Sequence, residues 1–260
     1  MEAVRPEESP PNKLEAFFLA LGGLASQLVD FLRSLPEVRS YRWEAVRQCD
    51  TFLTETLPIG LFTGFFAGVG AGMHGQNLSS LLFSHYSYVS IITRFGILEL
   101  FPLILGLILA GKVGATVAAE VASMKVNGQL DALRTMSIRP AAYLGWPRVL
   151  AAVAMLPVVV VISDMCAYLS SYLMSVHLFG WVSTPDFLRG LKSDFSVPFA
   201  FVHIVLKPAL FGFLIVFLGY FFGERASLGA KGVGRASTTA AVAISLVLVV
   251  VNYLIGVVTN

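Results

Sequence analysis

Three charged residues lie inside long apolar stretches of the sequence: Glu99, Asp164 and Lys207. A charged side chain in the hydrocarbon core of a bilayer is costly, and such residues usually mark a pathway for a substrate or an ion. The other interpretation is an extended side chain that reaches the nearest membrane surface. The short side chain of Glu99 favours a functional role, Lys207 fits both interpretations equally, and Asp164 has no evident partner.

Two segments resemble nucleotide-binding loops in their spacing alone. Residues 106–112 (GLILAGK) begin like a phosphate-binding loop, but Val113 stands where a serine or threonine would hold magnesium. Residues 70–75 (GAGMHG) have the glycine spacing of a dinucleotide-binding loop, at the end of a predicted membrane helix. Glycine-mediated helix packing explains both segments, so we predict no nucleotide site in this chain.

No combination of residues indicates catalysis or metal binding. The histidines at positions 74, 85, 177 and 203 are scattered, without an HExxH motif or pairing at helical spacing. Cys49 and Cys166 fit no metal or redox spacing and are interpreted as small apolar residues. We therefore predict that the chain is not an enzyme. An intramembrane lipid-modifying enzyme using Asp164 or a histidine is the least supported alternative.

The composition is that of a polytopic, all-α membrane protein. Of 260 residues, 56% are hydrophobic and only 13% are charged, whereas a soluble domain has about 25% charged residues. Apolar runs of about 20 residues, the length needed to cross a bilayer, recur along the chain. The net charge of +2 gives no indication of nucleic-acid binding.

The chain divides into three parts. Residues 1–12 are rich in proline and glutamate and are predicted to be a disordered tail. Residues 13–50 are predicted to form an amphipathic helix in the membrane interface, up to Leu35, followed by a polar cytoplasmic linker. The helix could instead pack on the protein's own surface. Residues 51–260 form the predicted transmembrane domain.

Five membrane spans are predicted within this domain. They lie near Thr51–Met73, Phe95–Ala119, Val149–Val176, Val197–Phe222 and Ala236–Val258. The segment after the first span, residues 74–95, is rich in serine and aromatic residues and is predicted to be a short re-entrant or interfacial segment at the outer side. Residues 120–140 contain an amphipathic helix that could seal the bundle or fit a groove on a partner.

Small residues recur every fourth position in the first two spans. They are Gly60, Gly64, Gly68 and Gly72, and then Gly106, Ala110, Gly114 and Ala118. Such faces allow helices to approach closely in lipid. We therefore expect these two spans to pack against each other or across a dimer.

The distribution of basic residues predicts the orientation. Lysine and arginine are concentrated in residues 36–50, 120–148 and 223–235, whereas the alternate loops carry few or balanced charges. The positive-inside rule therefore places the N-terminus in the cytoplasm and the C-terminus in the periplasm.

The fifty residues from Glu99 to Arg148 carry a family resemblance. They include residues 99–102 (ELFP), 110–114 (AGKVG), 119–126 (AEVASMKV) and 129–133 (QLDAL). In order and spacing this stretch resembles the MlaE-type permeases, the membrane subunits of ABC lipid transporters that work with MCE-domain proteins. Weaker similarity extends over residues 40–260.

The resemblance implies a homodimer in the bacterial inner membrane, in contact with membrane lipid, an MCE-domain protein and two copies of a separate ATPase. ATP and magnesium would be bound by the ATPase, and no cofactor is expected in this chain. The family's substrate pathway corresponds to Glu99, Lys207, Leu78, Leu82 and Asn252. The region that meets the ATPase, the coupling helix, corresponds to Glu120, Met124, Lys125, Gln129, Asp131, Leu133 and Arg134.

Three positions differ from what is common in the family. Leu98 stands where many members have an arginine, and Asn252 stands where the last span often carries an aspartate. Gly128 replaces a common glutamate, and we expect it to weaken the coupling helix by about 1 kcal/mol relative to a good helix former.

The leading hypothesis is the permease subunit of an ABC-type transporter for phospholipid or a related lipid. The alternative is a stand-alone secondary transporter or channel that uses Glu99 and Lys207 as a proton or ion site.

Overall fold

The computed structural model describes residues 13–79, 89, 91, 96, 99–192 and 201–259, and all regular structure in these residues is helical. The all-α prediction is thereby confirmed. The helices are α1 (Lys13–Arg33), α2 (Arg42–Ser79), α3 (Phe101–Val126), α4 (Gln129–Thr135), α5 (Ala141–Leu178), α6 (Thr184–Lys192), α7 (Val202–Glu224) and α8 (Ala230–Thr259). A 3₁₀ helix, Leu35–Tyr41, joins α1 to α2.

Among the described residues, five helices are long and apolar enough to cross a membrane: α2, α3, α5, α7 and α8. The five predicted spans are thereby confirmed, but their bounds differ. Helix α2 begins at Arg42 rather than near Thr51, and α8 begins at Ala230 rather than near Ala236. In both cases a polar segment predicted to precede the span is part of the membrane helix instead. Residues 74–79 of the predicted re-entrant segment continue α2, and most of its other residues lie outside the described ones.

The glycine face of α2 packs against α5. A Cβ atom added at Gly64 or Gly68 would overlap the main-chain carbonyl oxygen of Ser163 or Ala167, respectively. The equivalent face of α3 packs elsewhere: a Cβ at Gly106 would meet Phe211 of α7 and Leu248 of α8. Within one chain each small-residue face therefore meets a different helix, although α2 also contacts the start of α3. Packing of these faces across a dimer stays a prediction.

Helix α7 lies at the centre of the bundle, in contact with α3, α5 and α8. Its glycines make these contacts close. Gly212 lies against the carbonyl of Ala152 in α5, and Gly219 lies against the carbonyl of Gly114 in α3. Van der Waals packing of this kind is a main source of helix association in lipid.

The end of α1 is anchored to the bundle. The Phe31 side chain is fully buried, and its ring centroid lies 4.6 Å from that of Trp146 in α5. The indole Nε1 of Trp146 donates a hydrogen bond of 2.7 Å to the main-chain oxygen of Phe31. The second half of α1 therefore packs on the protein itself, which was the alternative to a helix lying in the membrane interface.

Candidate functional site

Lys207 is a membrane-helix lysine whose side chain does not reach the surface of the chain. It follows a π-helical turn at the start of α7 and is 0% exposed. Its Nζ donates a hydrogen bond of 3.0 Å to the main-chain oxygen of Glu99, at the start of α3. The fold therefore brings together two intramembrane charged residues that are far apart in the sequence. The interpretation of Lys207 as an extended side chain that reaches the membrane surface does not hold within this chain.

The Glu99 carboxylate is half-buried and points towards α8. A Cβ atom at Gly256 would lie 2.8 Å from its Oε1 atom, so the absence of a side chain there leaves room for the carboxylate. Asn252, one helical turn earlier on the same face of α8, is 9% exposed, and its Oδ1 has no hydrogen-bond partner in the part of the chain that the structure describes. Polar atoms of α3, α7 and α8 therefore converge in one region.

Asp164 joins this region from α5. It is 5% exposed and lines a small cavity with Thr63 and Gly64 of α2 and Phe101 and Pro102 of α3. Asp164 and Lys207 therefore lie at the same end of α3, because the Lys207 Nζ binds the main-chain oxygen of Glu99, two residues before Phe101. Sequence reasoning did not assign Asp164 to the site, although a charged residue in an apolar run was the signal that singled out Lys207. Only the packing of the helices shows that Asp164 and Lys207 are neighbours.

Two predicted pathway residues cannot be placed. Leu82 and the side chain of Leu78 lie outside the described residues.

The coupling segment begins with a left-handed residue. Gly128 has φ +69° and immediately precedes α4. The expectation that it weakens this helix is wrong, because Gly128 lies at the helix cap rather than in its interior, and glycine adopts this backbone conformation without steric cost.

Helix α4 and the end of α3 are held against the end of α7 and the residues that follow it. Arg134 Nη2 lies 2.7 Å from Glu224 Oε1, at the last residue of α7, and Nη1 of the same side chain lies 3.2 Å from Asp131. The Nζ of Lys125 donates to the main-chain oxygen of Ala226 at 2.8 Å. Glu224, which sequence reasoning missed, also accepts a 2.7 Å hydrogen bond from Gln27 of α1.

The other coupling residues are half-buried or exposed. Glu120 pairs with Arg148 of α5 at 2.7 Å, and Met124 packs against the core. Leu133 is half-buried, whereas Gln129 and Asp131 are exposed. Part of this set therefore fixes the segment to the bundle, and the exposed part is available to a partner.

Comparison with known proteins identifies the architecture. The model of the family described as Permease MlaE matches residues 45–258. The chain belongs to the MlaE permease family. The matched region contains all five membrane helices except the first three residues of α2 and the last residue of α8. It also contains α4 and the polar residues contributed by α3, α5, α7 and α8.

Several relatives of this MlaE-family chain have curated names. A probable ABC transporter permease protein of Rickettsia prowazekii is 36% identical over 202 residues, which cover 77% of this chain and 76% of the relative. A probable ABC transporter permease protein of Synechocystis is 32% identical over 158 residues, covering 61% and 59%. The intermembrane phospholipid transport system permease protein MlaE of Haemophilus influenzae is 25% identical over 239 residues, covering 92% and 91%.

Membership of the MlaE permease family makes this chain a multi-pass membrane component of a transporter rather than an enzyme. The prediction that it is not an enzyme is confirmed on this ground. In the part of the chain that the structure describes, no group of three histidine, cysteine, aspartate or glutamate side chains is arranged to hold a metal ion.

Proposed function

We propose that the chain is the permease subunit of an ABC-type transporter that moves phospholipid or a related lipid between the bacterial inner membrane and an MCE-domain partner. A separate ATPase subunit supplies the energy and binds the ATP and magnesium. The name of the Rickettsia relative supports an ABC permease, and that of the Haemophilus relative supports phospholipid as the substrate.

The observation that carries this proposal is the ammonium group of Lys207, buried inside an apolar bundle at Glu99. An ammonium donates up to three hydrogen bonds, and Lys207 uses one of them on a main-chain oxygen. A phosphate is a strong acceptor for such a donor, and the bond between them is charge-assisted. The chemistry of the polar region therefore suits a lipid headgroup, which would reach the fully buried Lys207 when the helices around it separate, and the surrounding apolar helix faces suit acyl chains.

The exposed part of α4 is the proposed contact for the ATPase. Gln129, Asp131 and Met136 are exposed there, while Leu130 is buried beneath them and Arg134 ties the helix to α7. A short helix with one buried face and one free face can fit a groove on a partner. ATP-driven movement of the partner would then act on the bundle through α4.

We further propose a homodimer with cytoplasmic N-termini and periplasmic C-termini. Large apolar side chains on α8 are exposed in the single chain, including Val242, Leu246 and Leu254. A second copy and membrane lipid would cover such faces. The concentration of basic residues around α4 supports the orientation.

Reconstitution in liposomes tests the function. The chain is purified with its co-purifying subunits and assayed for transfer of a fluorescent phospholipid to or from an MCE-domain protein, with and without ATP. We expect an ATPase to co-purify and transfer to require ATP hydrolysis. Transport by the chain alone, driven by an ion gradient without any ATPase, would support the secondary-transporter alternative instead.

A further inference from the structure

Asp164 is a membrane-buried carboxylate for which neither the family resemblance nor the coupling segment supplies a role. It is 5% exposed, and its Oδ2 atom has no hydrogen-bond partner among the described residues. A buried charge without a partner is strongly unfavourable, so such a group is usually compensated by a charge nearby. The compensating group has to be sought on the neighbouring helices.

Lys207 is the neighbouring positive charge. Asp164 shares a cavity with Phe101 and Pro102, the first residues of α3, and the Lys207 ammonium binds the main-chain oxygen of Glu99 just before them. Neither carboxylate forms a direct ion pair with the Lys207 Nζ within 4.0 Å in the described structure. The ammonium therefore lies near two carboxylates and is ion-paired with neither.

We propose that Asp164 determines the headgroup preference of the lipid pathway: its carboxylate offsets the positive charge of Lys207 and disfavours headgroups with a net negative charge. This inference rests on the proposed function of the site as a lipid pathway. Asp164 acts through Lys207, so it is a positioning and charge-setting residue, and direct contact with the lipid is not required.

The physical reason is the range of electrostatic interactions away from water. Charges inside a protein interact through a much lower effective dielectric constant than in bulk solvent, so a carboxylate near Lys207 weakens the attraction that the Lys207 ammonium exerts on a bound phosphate. A zwitterionic headgroup has no net negative charge and depends less on this attraction. An anionic headgroup has no such compensation and is disfavoured.

The experiment measures photo-crosslinking of the purified full-length protein, in nanodiscs, by two photoactivatable lipids. One is phosphatidylglycerol, which is anionic, and the other is phosphatidylethanolamine, which is zwitterionic. We expect Asp164→Asn, which keeps the shape and removes the charge, to raise the ratio of phosphatidylglycerol to phosphatidylethanolamine labelling by about threefold to tenfold. Asp164→Glu, which restores a carboxylate, should keep the wild-type ratio.

A matched control removes a negative charge elsewhere in the membrane domain. Glu55 pairs with Lys112, which is about 20 Å further along α3 than Glu99 at the rise of an ideal helix. Glu55→Gln should therefore leave the labelling ratio unchanged. If it raises the ratio as much as Asp164→Asn does, a general effect of protein charge explains the result and the inference fails.

The same substitution in a Lys207→Met background separates a charge effect from a packing effect. If Asp164 acts through Lys207, Asp164→Asn should no longer change the ratio there, since a double-mutant cycle isolates the coupling. An equal change in both backgrounds would overturn the inference. If Asp164→Asn fails to fold, two other proteins still test the inference: Lys207→Met/Asp164→Asn and Asp164→Glu. The inference predicts the labelling ratio of each.

The outcomes also separate this inference from the proposed function. Labelling of the wild-type protein with an unchanged ratio in Asp164→Asn would refute the role of Asp164 and leave the lipid pathway standing. Absence of labelling near Glu99 and Lys207 with either lipid would refute both.

Discussion

Arg134 of α4 and Glu224 of α7 form an ion pair of 2.7 Å that joins the proposed ATPase contact to the central helix of the bundle. Helix α7 carries Lys207 near its other end, about 26 Å away at the rise of an ideal helix. A displacement of α4 would therefore act directly on the helix that holds the intramembrane ammonium. We regard this pair as the mechanical link between ATP hydrolysis and the lipid pathway.

Breaking the Arg134–Glu224 pair should uncouple ATP hydrolysis from lipid transfer. In Glu224→Gln we expect ATP hydrolysis by the assembled complex to continue, while lipid transfer per ATP falls several-fold. A partly exposed ion pair contributes only about 0–1 kcal/mol to stability, so the fold should be retained. The measurement is the ratio of phospholipid transfer to phosphate release in proteoliposomes.

Arg189→Gln is the control, because Arg189 and Asp186 form an exposed pair within α6 at 4.0 Å, away from α4. The exchanged pair Arg134→Glu/Glu224→Arg should partly restore coupling. Unchanged transfer per ATP in Glu224→Gln would show that α4 does not act through α7.

Substitution of Glu99 by lysine should impair lipid loading without preventing assembly of the protein. The new side chain would place a second ammonium beside Lys207 and fill the space that Gly256 leaves for the carboxylate. The two like charges repel each other in a region of low dielectric constant. The measurement is labelling by a photoactivatable phospholipid, with size-exclusion chromatography to verify the oligomer.

Glu99→Gln separates the two effects, because it removes the carboxylate charge without adding an ammonium. We expect it to reduce labelling less than Glu99→Lys does. Wild-type labelling in Glu99→Lys would argue against a role for this side chain in the pathway.

The close contact between α2 and α5 should be sensitive to a single methyl group. A Cβ atom at Gly68 would overlap the carbonyl oxygen of Ala167, whereas at Gly70 no atom lies within 4 Å. Because overpacking typically costs about 1–3 kcal/mol, Gly68→Ala should lower the melting temperature in detergent, and Gly70→Ala should not. Equal melting temperatures for the two variants would contradict the packing of α2 on α5.

The sequence was sufficient for the number of membrane helices but not for their partners. Apolar runs of about 20 residues define spans by the thickness of the bilayer alone. The glycine faces of α2 and α3 show only that another helix packs closely there, because main-chain atoms or side chains of any other helix can occupy the space that glycine leaves. For the same reason Asp164 and Lys207, on α5 and α7, could not be associated before the helices were packed.

Helix ends were harder to predict than helix existence. Residues 125–134 (KVNGQLDALR) are polar enough that the sequence does not show where α3 ends and α4 begins. Gly128 was therefore interpreted as an interior residue of one helix, when it separates two helices. This distinction reverses the expected sign of the change in stability when Gly128 is replaced by alanine.

Replacing Gly128 by alanine consequently provides a direct test of the coupling segment. An interior glycine would make Gly128→Ala stabilising by about 1 kcal/mol. At φ +69° an alanine side chain instead clashes with its own backbone, so we expect destabilisation of about 1 kcal/mol. Gly128→Asn should be tolerated better, since asparagine enters the left-handed region more readily.

Thermal unfolding measures the effect of Gly128→Ala, and Gly234→Ala is the control. Gly234 lies in the first turns of α8, and no atom lies within 4 Å of a Cβ added there. A higher melting temperature for Gly128→Ala than for the wild type would mean that α3 and α4 form one continuous helix, and the separate docking segment would have to be abandoned.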